Sequence, residues 1–229
     1  DWDDNILHMP TRIHLEKRMP DGAWVPHSVS TAAFAVIRAD GENYRPPGGK
    51  WNEAFVEFQD YANEGESRFL RDTRLSLERV LSGETKPGPS FGTLRETLRE
   101  GRLFAIVTAR GHEPESLRKA VRLFVELVLT PAEKEEMMAN LRGYRACFDQ
   151  MAVFGSDDEE IDYYLSLNRY HAVTNPEFKQ WMTRASGGLA STENAKQFAI
   201  RDFVEHVIKI LSRTGADSLR RPISVGFSD

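Results

Sequence analysis

Leu103-Phe104-Ala105-Ile106-Val107-Thr108-Ala109-Arg110 is the stretch on which the fold turns. The run from Leu103 to Val107 is short, continuously apolar and bounded by polar residues. That pattern reads as a strand buried on both faces, as strands of parallel sheets are. A polar turn, Thr108 to Pro114, leads into helical periodicity from Glu115 to about Leu129. Strand, turn and helix in that order predict an α/β layer.

Ser90 to Glu100 has helical spacing through Phe91, Leu94 and Leu98, with Gly101 suited to its C-terminal end. Thr130 to Glu133 opens another helix, with Pro131 at the first position. Tyr170 to Thr174 and Ile223 to Phe227 are candidate strands. Thr192 to Leu211 is an amphipathic helix with Ala195, Phe198, Ala199, Phe203, Val207 and Ile210 on one face. Toward the beginning, Thr11 to Arg18 and Ala23 to Val29 flank the turn Met19-Pro20-Asp21-Gly22 and read as a hairpin, with Pro26 favouring an edge strand. Asn52 to Ala62 and Ser67 to Leu81 are further helical candidates, and Lys86-Pro87-Gly88-Pro89 is a breaker. Ala32 to Ile37 reads as a core element, Cys147 as a buried core residue, and the acidic run Ser156 to Glu160 as a solvent-facing segment.

A length of 229 residues suits one domain with insertions, and 40% hydrophobic with 28% charged residues is a globular composition. The net charge of -5 argues against bulk nucleic-acid binding. The single cysteine forms no internal disulfide, which fits a reducing, cytoplasmic setting. No apolar run approaches the roughly 20 residues of a membrane helix. The chain opens on Asp1-Trp2-Asp3-Asp4-Asn5 without an initiator methionine and stops at Ser228-Asp229, which predicts further residues on both sides.

Reactive side chains stand at expected strand ends: Asp1 and Asp3, Thr108, and Asp229. Open α/β sheets bind ligands beyond the carboxyl ends of their strands. Along an extended segment residues two apart share a side, so Asp1 and Asp3 are expected to look into one pocket. Crowded carboxylates need a proton or a cation, and a hard divalent cation such as magnesium suits a phosphate site. A carboxylate can also attack phosphorus, while a second one moves the proton of the leaving group and then of water. Thr108 and Lys196 are candidate donors to phosphate oxygens.

These residues resemble the motifs of the haloacid-dehalogenase-like (HAD) hydrolases. Asp1-Trp2-Asp3-Asp4-Asn5 is similar to the opening motif, and Phe104 to Arg110 to the second, an apolar strand ending in threonine. Lys196 fits the third-motif lysine, and Val225-Gly226-Phe227-Ser228-Asp229 resembles the fourth. The hairpin after the first motif resembles the superfamily's flap. The resemblance implies Asp1 as nucleophile and metal ligand, and Asp3 as general acid/base and metal ligand through its carbonyl. It further implies Thr108 and Lys196 on the transferred phosphoryl group, Asp229 on Mg2+, and a small phosphorylated substrate. Arg110 is a candidate substrate contact, with a structural salt bridge as the other reading. Asn5 departs from the threonine or valine usual at that position.

Plainer readings accompany each assignment. An Asp-x-Asp pair is commonly a solvated turn, Thr108 could simply cap a turn, and Lys179 and Lys209 rival Lys196. A calcium loop starting at Asp1 fails because Ile6 replaces its glycine and Arg12 its glutamate. The six histidines lack zinc-ligand spacing. The expected architecture is a three-layer, Rossmann-like α/β core with a mainly parallel sheet, a β-hairpin flap and a small cap. Its core comprises residues 1–9, 90–129 and 192–229, with a flap and cap at 10–89 and a second helical insert at 130–191. The expected function is magnesium-dependent phosphomonoester hydrolysis. The alternatives are a non-catalytic, metal-binding regulatory protein and a nucleic-acid-end phosphatase with a groove of Arg12, Lys17, Arg18 and Arg110.

Overall fold

The computed structural model describes residues 1–61, 65–148, 152–186, 191–212 and 225–227. Strands β1 (Ile13–Arg18) and β2 (Trp24–Val29) form the expected antiparallel hairpin, registered Ile13 to Val29 and Arg18 to Trp24. Helix α1 (Thr31–Ile37) follows, capped by the Ser30 side chain, and the two-residue strand β3 (Tyr44–Arg45) completes a sheet of order β2-β1-β3. Pro26 therefore lies on an edge strand, where its missing N–H leaves no ladder bond unmade. Alternation puts Ile13, Leu15 and Val29 on the inner face, packed with Ala54 and Phe58 into a small core.

Two expectations in this region need correcting. Ala32 to Ile37 is helical but buries no residue, and Val36 is 82% exposed. Its apolar run has no partner on the outer side, so hydrophobicity alone misplaced it. The helix expected from Asn52 shrinks to α2 (Trp51–Ala54) and a single 3-10 turn at Val56–Phe58.

The main core lies in the rest of the chain. Helix α3 (Arg68–Leu81) buries Phe69 and Leu77, and α4 (Phe91–Arg99) buries Phe91, Leu94 and Leu98 before Gly101 ends it at φ +64°. Strand β4 (Ala105–Thr108) leads into α5 (Pro114–Val128), as Leu103-to-Arg110 predicts. Helices α6 (Pro131–Phe148) and α7 (Asp157–Ser166) return the chain to β5 (Arg169–Ala172), which pairs parallel to β4. Helices α8 (Pro176–Ser186) and α9 (Thr192–Ser212) follow. Phe69 and Leu77, from the segment expected as cap, share one hydrophobic cluster with Ile106, Phe124 and Leu165. Met137, Leu141 and Tyr170, from the expected second insert, join it.

The molecule is thus mixed α/β, with a parallel pair and a separate antiparallel sheet among the described residues. Val225 to Phe227 is not in a strand, and Ile223, Ser224, Ser228 and Asp229 lie outside the described residues. Cys147 is exposed rather than buried, because α6 turns Met137, Met138 and Leu141 inward and Cys147 away. The acidic run is the first turn of α7, and Glu160 is buried against Arg142 and Arg145. No helix among the described residues is long and apolar enough to cross a membrane.

Candidate active site

The opening acids sit on a closed turn. Trp2 is fully buried, edge-on to Phe69 with ring centroids 5.5 Å apart. Its carbonyl accepts from the Ile6 and Leu7 amides at 3.1 and 3.2 Å, and the Asp4 amide donates to the Leu7 carbonyl at 2.9 Å. Asp4 adopts φ +58°, a left-handed conformation that aspartate tolerates better than most residues. With Trp2 anchored inward, Asp1 and Asp3 flank it as partly exposed carboxylates.

A second loop holds this turn from behind. Ser90 donates its hydroxyl to Asn5 Oδ1 at 2.6 Å and its amide to the Asn5 carbonyl at 2.8 Å. The Gly88 amide donates to the Ile6 carbonyl at 3.0 Å. A Cβ on Gly88 would stand 2.4 Å from the Asn5 carbonyl oxygen, so glycine is required there. Asn5, unusual for the motif, is therefore a buried tie between the turn and the start of α4.

Each acid meets a cation. Lys196 Nζ donates to Asp1 Oδ2 at 2.7 Å, and the Trp2 amide donates to Asp1 Oδ1 at 2.7 Å. Of the candidate lysines, Lys196 is the one that reaches Asp1. Its helix is fixed to β5 by side chains. His171 and Asp202 are 3.0 Å apart, and His206 Nε2 donates to the Leu167 carbonyl at 2.7 Å. That tautomer leaves His206 Nδ1 to accept from Arg169 at 2.8 Å. Ala195 and Ala199, either side of Lys196, pack on Val173 and Phe178.

Arg110 grips Asp3 with two parallel bonds, Nε to Oδ2 at 2.7 Å and Nη2 to Oδ1 at 2.6 Å. Its side chain is 1% exposed and lies between the rings of Phe58 and Phe69, 4.6 and 4.9 Å from their centroids. Nη2 also donates to Thr11 Oγ1 at 2.8 Å, and Thr11 donates to Asp72 Oδ2 at 2.7 Å. Burial raises the Asp72 carboxyl above its ordinary range, against the Thr11 bond and the Arg110 charge, which lower it. Thr108 closes β4, fully buried, with a hydroxyl that has no hydrogen-bond partner. A buried hydroxyl left unpaired at a strand end is costly in isolation and is a natural donor to an incoming oxygen.

The loop between β4 and α5 is braced from two sides. Asn175 Nδ2 donates to the Gly111 and His112 carbonyls at 3.3 Å each, and the Gly111 amide donates to the Phe58 carbonyl at 2.9 Å. Asp60 accepts from the Glu113 amide and the Ser116 hydroxyl, both at 2.8 Å, and from Ser67. Burial raises the Asp60 carboxyl, but these three bonds outweigh it and hold the group low. His112, fully buried against Phe69, is pushed down to about 3 by burial and then by the Arg110 charge, so it is neutral at pH 7. Sequence reasoning does not reach Thr11, Asp72 or Asn175. Only Asn175-Pro176, a helix-start dipeptide, carried a readable signal.

The oxygen donors here suit magnesium in kind, since hard cations take carboxylates and carbonyls. Among the described residues, however, no three His, Cys, Asp or Glu side chains converge as a metal-binding group. Comparison with protein-family models, with curated proteins and with solved structures finds no match for this chain.

Proposed function

We propose that this chain carries the active site of a magnesium-dependent phosphomonoester hydrolase of the HAD-like class, with Asp1 as nucleophile. The observation that carries the reading is the ion pair between Asp1 and Lys196, 2.7 Å apart across 195 residues of chain. A lysine beside the attacking carboxylate offsets charge as the anionic phosphoryl group arrives. On this reading β4 and β5 belong to a three-layer core with a mainly parallel sheet, and Thr108 donates to a phosphoryl oxygen.

In the first step an Asp1 oxygen bonds to phosphorus as the bond to the departing alcohol oxygen breaks, and Asp3 supplies that oxygen's proton. Water then attacks the phosphorus of the aspartyl-phosphate, Asp3 takes its proton, and Asp1 is released with inorganic phosphate. Asp1, the Asp3 carbonyl and Asp229 would hold Mg2+; Asp229 lies outside the described residues. When bound, the ion would offset negative charge on the phosphoryl oxygens.

Magnesium-dependent release of nitrophenol from p-nitrophenyl phosphate tests the reading. Asp1→Asn should cost on the order of 10⁴-fold or more in kcat, because no neighbouring group replaces a lost nucleophile. Full activity in that variant rejects the assignment. Both carboxylate oxygens of Asp3 are engaged by Arg110, which favours a second reading, a metal-binding regulatory protein without turnover. Magnesium binding with no hydrolysis across a broad phosphate panel would select it. The nucleic-acid-end reading loses support because Arg110 is enclosed, not set in an open groove.

A further inference from the structure

We infer that Thr11 and Asp72 are positioning residues that act through Arg110 to aim the Asp3 carboxylate. The inference rests on the proposed role of Asp3 in proton transfer, for which each Asp3 oxygen keeps a lone pair outside its Arg110 bond, and it reassigns Arg110 from substrate contact to the group that holds Asp3. A guanidinium with 1% exposure, between two aromatic rings and doubly bonded to a carboxylate, is closed off from solvent, its unpartnered Nη1 included. What it can do is fix a plane, since the two parallel N–H···O bonds determine the rotation of the Asp3 carboxylate.

That grip depends on one hydroxyl. Thr11 Oγ1 accepts from Arg110 Nη2 at 2.8 Å and donates to Asp72 Oδ2 at 2.7 Å. A hydroxyl has a single proton. While Asp72 takes it, the Thr11 lone pairs face the guanidinium. Without the Asp72 acceptor, the hydroxyl loses the bond that fixes its rotation and its place, and its hold on Nη2 loosens. Asp72 is on α3 and Thr11 lies just before β1, so elements outside the strand ends set the aim of a side chain at the site.

The test uses the full chain with two magnesium-dependent substrates. An alkyl phosphate needs a proton on its departing oxygen, whereas p-nitrophenyl phosphate leaves as a stabilised phenolate. Thr11→Val should lower kcat on the alkyl phosphate roughly tenfold or more, with less loss on p-nitrophenyl phosphate and little change in KM. Asp72→Leu, which removes the acceptor, should follow the same pattern, and Thr11→Ser, which keeps the hydroxyl, should recover most of the loss. Equal losses on both substrates, or a change confined to KM, would overturn the inference. If the wild type hydrolyses neither substrate, the functional reading fails by itself. Solvent exchange of the Arg110 Nε proton, followed by NMR, then decides the structural part. Exchange should be slow in wild type, faster in Thr11→Val and slow again in Thr11→Ser; an unchanged rate sinks it.

Discussion

Two residues without chemistry of their own shape the opening turn. Gly88 passes so close to the Asn5 carbonyl that any side chain must displace backbone on one side or the other. Gly88→Ala should therefore destabilise the fold by about 1–3 kcal/mol, the usual range for overpacking a filled site. Urea denaturation reads this directly, and an unchanged midpoint would mean that the two loops separate more easily than their hydrogen bonds suggest. Asn5 is the other. A threonine or valine there would lose the amide oxygen that accepts the Ser90 hydroxyl, and Ser90 is buried. Sequence comparison by motif marks Asn5 as a departure, while the structure gives it a packing reason.

At the scale of elements, the residues most legible in sequence were those whose burial is continuous. Leu103 to Val107 can satisfy its apolar side chains only inside a layered core, and β4, α5 and the parallel partner β5 follow from that. Amphipathic α9 was equally readable in extent, although it fully buries only Ala195 and Ala199 of its expected face. Helix α7 is hidden in the sequence because four acids in its first turn suggest a solvated segment. The signal in the sequence is Ser156-Asp157-Asp158-Glu159, in which the Ser156 hydroxyl accepts from the Glu159 amide at 3.2 Å and the Glu159 carboxylate accepts from the Gly155 amide at 2.7 Å. Ser156→Ala should cost about 1 kcal/mol, with Ser156→Asp close to wild type, measured by thermal unfolding. The pairing of Asp1 with Lys196 could be named from motif order, but not Asp3–Arg110–Thr11–Asp72. Nothing in local periodicity marks Thr11 or Asp72, because their roles exist only once α3 and the hairpin meet β4.

For the molecule as a whole, pH is the most direct probe of how the buried groups add up. His112 is neutral when folded, with its titration lowered from 6.5 to about 3, so the unfolded chain binds the extra proton between those values. Its contribution to stability is complete above the unfolded value and is lost as pH falls, by about 2 kcal/mol between pH 7 and pH 5. Glu133, held down to about 2 by Arg95 and by the Thr130 amide, adds a second loss in the same direction below 4.5. Asp72, raised by burial, works in the opposite sense in acid. The unfolding free energy should therefore begin to fall below about pH 6.5 and fall more steeply below 4.5. His112→Phe, which suits the ring contact with Phe69, should flatten the upper part of that slope, and a slope that persists would place its origin elsewhere. The Asp1–Lys196 contact also has a meaning for biosynthesis. A ribosome adding about 5–20 residues each second needs on the order of ten to forty seconds to travel from the first partner to the second. Throughout that interval the nascent polypeptide exposes an acid whose counter-charge has not yet been translated, so this contact can close only late in synthesis.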